Sequence, residues 1–228
     1  PTFNEEKNII LITNKLLKLN KNIKILVIDD SISKPNRPKK LNKKVSFIHR
    51  KNKKGRCSAV LDGFKIGLKK NFNIFIEMDA DFSHNPHELN RNIKYFKNQK
   101  LDLLISSRYL KKSKIINWSL SRKVLSYLSN FLADLLLSAN LTDYTNGYRI
   151  YSKDSVSIIT KNCGLISNSF ITLSDIIITL KNRDKKIDEI HSIFVNRVRG
   201  DSKVNFLMVL SSLFGLFKLF IYKKIFKF

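Results

Sequence analysis

Cysteine, glycine, proline and acidic residues are all scarce in this sequence. Its two cysteines, Cys57 and Cys163, stand far apart in 228 residues with no CxxC spacing. That excludes a disulfide scaffold and a structural zinc site, and leaves two reduced thiols. The four histidines share no ligand spacing, which likewise argues against zinc. Seven glycines and four prolines beside 43% apolar and 27% charged residues exclude a collagenous or disordered chain. The length is enough to bury a full-sized core. Acid is scarcest relative to base: 18 Asp+Glu face 43 Lys+Arg, a formal net charge of +25. A field of that sign favours polyanions, whether nucleic acid, an anionic membrane surface or phosphorylated small substrates. The lysines are spread along the chain, and there is neither an aromatic and glycine signature of RNA binding nor a zinc-finger spacing. Nucleic acid is therefore not the expected partner, and much of the excess charge reads as solvated surface.

What is present is an alternation of short apolar runs with longer amphipathic ones, the pattern of an α/β domain with a mostly parallel sheet. Residues 4–20 place Ile9, Ile10, Ile12, Leu16, Leu17 and Leu19 at helical spacing, with Asn4 as candidate N-cap. Residues 25–28 form a β-branched run ending in Asp29-Asp30, as in a buried parallel strand. Residues 31–44 read as a polar, basic loop. Further strands are expected at 45–49, 73–78, 101–106 and 187–195. Helices are expected at 56–70, from near Pro86 to Lys97, and at 118–139, the last apolar over most of its surface. No internal repeat or long linker calls for a second globular unit.

Residues 204–228 are the most apolar stretch. The run is about long enough to cross a bilayer, but Ser211, Ser212 and Lys218 interrupt it, and Lys223, Lys224 and Lys227 follow. An interfacial amphipathic helix suits that mixture better than a spanning one, and its basic end complements anionic headgroups. The alternative is a helix packed on the domain's own core.

In open α/β sheets, ligands lie outside the carboxyl ends of the strands. Here those positions hold Asp29, Asp30, Asp79, Asp81 and Arg108. Asp79-Ala80-Asp81 sets two carboxylates two residues apart, able to turn toward one hard divalent cation, Mg²⁺ or Mn²⁺. Such an ion completes its shell with phosphate oxygens and water, which implies a diphosphate ligand. His84, close by, is a candidate to shape that site. Trp118 reads as an anchor of the long helix, and Arg149 as a structural residue.

Several motifs in one order carry a resemblance: Pro1-Thr2-Phe3-Asn4-Glu5, Val27-Ile28-Asp29-Asp30-Ser31, His49-Arg50 with Lys54-Gly55, Met78 to Pro86, Ser107-Arg108-Tyr109, Asp143 to Tyr151, and Arg197 to Lys203. Across essentially the whole chain they resemble family 2 glycosyltransferases, closest to the dolichol-phosphate (polyprenol-phosphate) mannose synthase branch. The family's glycine-rich stretch after the lysine reads Gly55-Arg56-Cys57 here, and the acid expected near Phe170 is offset to Asp175.

The resemblance implies a nucleotide-diphospho-sugar transferase fold of the GT-A type over residues 1–203, with residues before Pro1 forming its first strand, followed by a membrane-associating tail at 204–228. It implies that Pro1, Phe3 and Glu5 hold the nucleoside base, and that Asp29 or Asp30 contacts base or ribose. Asp79 and Asp81 would hold the metal on the donor diphosphate, with Ala80 adding backbone contacts. Arg108, Arg122, Arg197 and Lys203 match the family's phosphate-binding bases. The implied reaction is inverting transfer of mannose from GDP-mannose to a polyprenyl (dolichyl) phosphate at the cytoplasmic face of a membrane. The alternatives are UDP-glucose as donor, a glycan as acceptor, or a module that binds nucleotide sugar with little turnover.

Overall fold

The computed structural model describes residues 1–32, 37–51, 55–164, 171–196 and 214–225. Two helices and two strands open the chain: α1 (Glu6–Leu19), β1 (Ile25–Asp29), β2 (Val45–His49) and α2 (Arg56–Lys69). β1 and β2 run parallel, Ile25 beside Val45 through Asp29 beside His49. Thr2 extends this ladder, its N–H donating to Ile28 O (2.9 Å) and its carbonyl accepting from Asp30 N–H (3.0 Å). Asn4 does not cap α1: it takes a left-handed φ of 57° and gives its N–H to Ser31 Oγ (2.8 Å). The helix begins two residues later.

The larger sheet is built from β3 (Ile74–Glu77), β4 (Leu103–Ser107), β6 (Arg149–Ser152) and β7 (Ile187–His191), in the order β3-β6-β4-β7. β4 pairs parallel with β7, whereas β6 runs antiparallel to both β3 and β4. The run Arg149–Ser152 is a strand that the sequence reading did not separate from its motif. β4 is buried at every position, and its alternation feeds two cores. Leu103 and Ile105 join Tyr151, Val156, Ile159 and Ile176 on one face, and Leu104 joins Phe96, Ile150 and Ile190 on the other. A third cluster, Ile9, Val27, Leu41 and Val45, lies under β1 and β2.

Helices α3 (Leu89–Asn98), α4 (Leu120–Leu137), α5 (Lys153–Asn162) and α6 (Ile171–Lys181) complete the layers. α3 is preceded by a 3₁₀ turn at Pro86–Glu88. α6 is buried from Ile171 to Leu180, its polar Thr172, Ser174, Asp175 and Thr179 included. The expected strand over 187–195 is two strands. β7 stops at His191, and β8 (Ile193–Val195) pairs instead with β5 (Lys114–Ile116). Buried Glu88 explains the break, because it accepts from Ser192 Oγ–H (2.6 Å) and from Ile193 N–H (2.9 Å).

Within the tail, residues 204–213 lie outside the described residues. Residues 214–225 are helical, with wider π-type turns over Phe220–Ile225. Leu216 and Leu219 are buried in the main core, and buried Lys223 donates to Asn162 O (3.1 Å). One face of this segment therefore packs on the domain itself. Phe214, Phe217 and Tyr222 face outward.

Candidate active site

The antiparallel course of β6 determines which residues meet. Arg149, its first residue, pairs with Glu77 at the end of β3 and with Ile105 on β4. The preceding segment 143–148 is thereby delivered to the edge where β3 runs into Asp79 and β4 into Arg108. Arg149 is fully buried and donates to three carbonyls, of Asn146, Leu173 and Tyr144, at 2.8 to 2.9 Å. It is structural, as the sequence suggested.

Two of these loops are tied together through His84. The Asp79 N–H donates to His84 Nδ1 (3.1 Å), so that nitrogen carries no proton, and Nε2–H donates to Asn146 Oδ1 (2.8 Å). Burial pushes the His84 imidazole below its ordinary pKa and keeps it neutral. Asn146 in turn donates from its backbone N–H to Asp143 Oδ1 (3.0 Å) and from its side chain to Ser106 O. Asp81 Oδ1 accepts from Ser83 N–H (3.0 Å) and Ser83 Oγ–H (2.6 Å), which fixes the carboxylate beyond a Phe82 with φ of 63°.

Asp79 and Asp81 are thus held in a tight loop after β3, and hard carboxylate oxygens are the right ligands for Mg²⁺ or Mn²⁺. Among the described residues no third His, Cys, Asp or Glu joins them in a metal-holding group. Substrate phosphate and water fit the remaining positions of such an ion.

Asp79 already has a cationic neighbour that the sequence reading assigned no role. Arg56, the first residue of α2, donates from Nε to Asp79 Oδ1 (2.9 Å), with Nη2 also 2.9 Å from that oxygen and Nη1 2.7 Å from Glu77 Oε1. Burial alone would raise the Asp79 carboxyl, but the charge and hydrogen bond of Arg56, with smaller effects of His84 and the terminal amine, together hold Asp79 well below the usual carboxylate range. A basic residue in place of a glycine-stretch neighbour was the available signal.

Arg108 is engaged from several sides. Its Nε and Nη2 fork onto Asp143 at 2.7 Å each, Nη2 also donates to Thr145 Oγ1 (2.6 Å), and the rings of Tyr109, Trp118 and Phe194 lie 5.4 to 5.5 Å from its guanidinium carbon. Two of its nitrogens are thus already committed inside the protein. Arg122, on the first turn of α4, stacks on Trp118 at 4.1 Å and donates to Asn196 Oδ1 (3.0 Å). Trp118 packs edge-on against Phe194, and its Nε1–H finds no hydrogen-bond partner among the described residues. Arg197 and Lys203 lie outside the described residues.

On the other side of the edge, a cleft of about 430 Å³ is lined by Asn4, Glu6, Ile9, Asp29, Ser31, Ile32, Pro38 and Phe47. Asp29 reaches it from the end of β1, although its carboxylate is shared with Ser31 Oγ–H (2.6 Å) and His49 Nδ1 (2.8 Å). Asp30 is forked by Arg50 at 2.6 and 2.5 Å, and that arginine also reaches Ser58 and Asp62. Pro1 and Phe3 are half-buried and, like Glu5 and Asp30, are not among the residues that line the cleft; Glu5 accepts from Asn8 Nδ2 (2.5 Å). Ala80 packs against the cluster under β1 and β2, which links the cleft to the acid pair.

A nucleoside-sized cleft, paired acids after β3 and basic side chains after β4 lie along one edge of an α/β domain, the layout of a sugar-nucleotide transferase. Residues 1–159 match Glycosyl transferase family 2, and the chain belongs to that family. It is 31% identical over 210 residues to an undecaprenyl-phosphate mannosyltransferase of Micrococcus luteus, covering 90% of this chain and 85% of that one. It is also 31% identical over 218 residues to a polyprenol monophosphomannose synthase of Mycolicibacterium smegmatis, covering 90% and 79%. The fold is the GT-A glycosyltransferase fold. Glucosyl-3-phosphoglycerate synthase of Mycobacterium tuberculosis, solved with Mn²⁺, UDP and glucosyl-3-phosphoglycerate, superposes with a TM-score of 0.69 at 13% identity, covering 96% of this chain and 77% of that one.

Proposed function

We propose that this enzyme transfers mannose from GDP-mannose to a polyprenyl phosphate, with inversion, at a membrane surface. The observation that carries the reading is the single edge on which β6 gathers Asp79, Asp81, His84 and Arg108, in a chain 31% identical to two polyprenyl-phosphate mannose transferases. The cleft beside Asp29 takes the nucleoside, and Pro1, Phe3, Glu5 and Asp30 adjoin its lining residues Asn4, Glu6 and Asp29 along the chain. Asp79 and Asp81 would hold Mg²⁺ or Mn²⁺, which neutralises charge on the leaving diphosphate.

The acceptor phosphate is an anion at neutral pH and needs no strong base to attack. One of its oxygens bonds to the anomeric carbon as the bond from that carbon to the diphosphate oxygen breaks, and the nucleoside diphosphate leaves with the electron pair. Arg122 offers a donor on the acceptor side, and Arg197 and Lys203 belong to the same set. Arg108, bound to Asp143, holds the aromatic group on which Arg122 stacks.

The lipid side is supported by α4. Leu120, Val124, Tyr127, Leu128, Phe131 and Leu135 form one stripe along the helix and are 49 to 77% exposed. Phe214, Phe217 and Tyr222 extend outward from the C-terminal segment. An apolar surface of this extent marks an interaction site, and basic Arg122, Lys123 and Lys218 suit an anionic bilayer. No helix among the described residues is long and apolar enough to cross a membrane.

The test is transfer of labelled mannose from GDP-mannose to an organic-extractable lipid, with polyprenyl phosphate and divalent metal, beside UDP-glucose and an Asp81→Ala variant. Metal-dependent mannolipid, reduced about 100-fold or more in the variant, is expected. Label only from UDP-glucose would replace the donor, and no transfer from either by folded protein would overturn the acceptor.

A further inference from the structure

Arg56 occupies a built seat. Gly55 precedes it with φ of 86°, a conformation that glycine adopts without strain, and the chain turns there into α2. The guanidinium then lies between Glu77 and Asp79, against Gly147 of the 143–148 segment, where an added Cβ would collide with Nη2. The seat exists only because residue 147 has no side chain.

Nε makes a well-formed hydrogen bond to Asp79 Oδ1, but the contacts of the two terminal nitrogens are close and poorly aligned. Nη1, Nη2 and Glu77 Oε1 are all buried and make no geometrically sound hydrogen bond, although Nη1 and Oε1 are 2.7 Å apart. Beyond that one hydrogen bond, Arg56 is held there by its charge contacts with Glu77 and Asp79. A fixed positive charge on Asp79 Oδ1 opposes a dication on the same carboxylate, and in a partly buried site that repulsion is weakly screened. A nucleoside diphosphate changes the balance, because its negative charges attract the ion and offer the guanidinium oxygen acceptors in forked geometry.

We propose that Arg56 is a resident counter-cation of the Asp79-Ala80-Asp81 pair that keeps the divalent ion weakly bound until the donor diphosphate arrives. Metal and donor then enter together, and Arg56 exchanges part of its contact with Asp79 for the diphosphate. Arg56 is thus a positioning residue that sets the order of binding. The inference rests on the reading of Asp79 and Asp81 as the donor-side metal pair.

The experiment is Mn²⁺ binding to the full chain, followed by the electron paramagnetic resonance signal of free Mn²⁺, with and without GDP, in the wild type, Arg56→Met and Arg56→Lys. Without GDP, Arg56→Met should bind Mn²⁺ about tenfold more tightly than wild type, and Arg56→Lys should stay near it. With GDP the advantage of Arg56→Met should vanish or reverse. If Arg56→Met does not fold, Gly147→Ala displaces the guanidinium while keeping the charge in the chain, and tighter Mn²⁺ binding without GDP is again expected. Folded Arg56→Met with Mn²⁺ affinity within twofold of wild type, or weaker, would overturn the proposal and leave Arg56 a structural ion pair. Mn²⁺ binding by none of the proteins, even with GDP, would overturn the metal-pair reading and this inference with it.

Discussion

Arg108 and Asp143 meet with 8% and 0% of their surfaces exposed, so neither charge is solvated except by the other and its hydrogen-bond partners. Burial alone would raise the Asp143 carboxyl, but Arg108 overrides it and holds the group below the ordinary carboxylate range. A depressed folded-state pKa adds stability above the unfolded value near 4, and that contribution is lost as pH falls. Asp143→Asn should leave Arg108 buried without its counter-charge and cost about 3 to 5 kcal/mol. A denaturant melt at pH 7 checks this, and the gap from wild type should narrow in acid. Both residues stand in recognisable motifs, but their pairing is 35 positions apart in sequence and could not be read there. A surface arginine and a buried one look alike in sequence, so the sequence offers Arg108 as a phosphate-binding candidate without showing that Asp143 holds it.

Among the elements, α4 reads in the sequence as a long helix apolar over most of its surface, which would ordinarily mean complete burial. Instead Ala133 and Leu137 turn inward while Leu120, Val124, Phe131 and Leu135 stay exposed. Composition reveals an apolar circumference, but not which half the rest of the protein covers. If the outer stripe meets lipid, Leu128→Glu with Phe131→Glu should abolish most co-sedimentation with anionic vesicles. GDP-dependent Mn²⁺ binding should be unchanged, because neither side chain touches the acid pair. Unchanged vesicle binding would remove α4 from the membrane side. β6 shows the opposite limit: its four residues are too short for periodicity to reveal a strand running against its neighbours.

Across the whole molecule, the C-terminal segment connects the core to the surface. Leu219 is fully buried beside α6, while Phe217, two residues away, is 55% exposed. Leu219→Ala should cost about 2 to 5 kcal/mol, read as a lower denaturation midpoint. A segment that served only to touch lipid would leave that midpoint unmoved. Of the two sequence expectations for this region, packing on the core is seen at Leu216 and Leu219, and lipid contact through exposed Phe214, Phe217 and Tyr222 is a proposal.

The amino-acid sequence alone determined the α/β alternation, the acids and basic residues that follow the strands, and the family, because strand-end chemistry and short ordered motifs are local properties. Only the tertiary structure decided that β6 runs antiparallel and brings Asn146 to His84, that Arg108 is paired with Asp143, and that Arg56 sits on Asp79. Those pairings depend on which distant backbones approach one another and on the space left beside Gly147, and no local pattern encodes either.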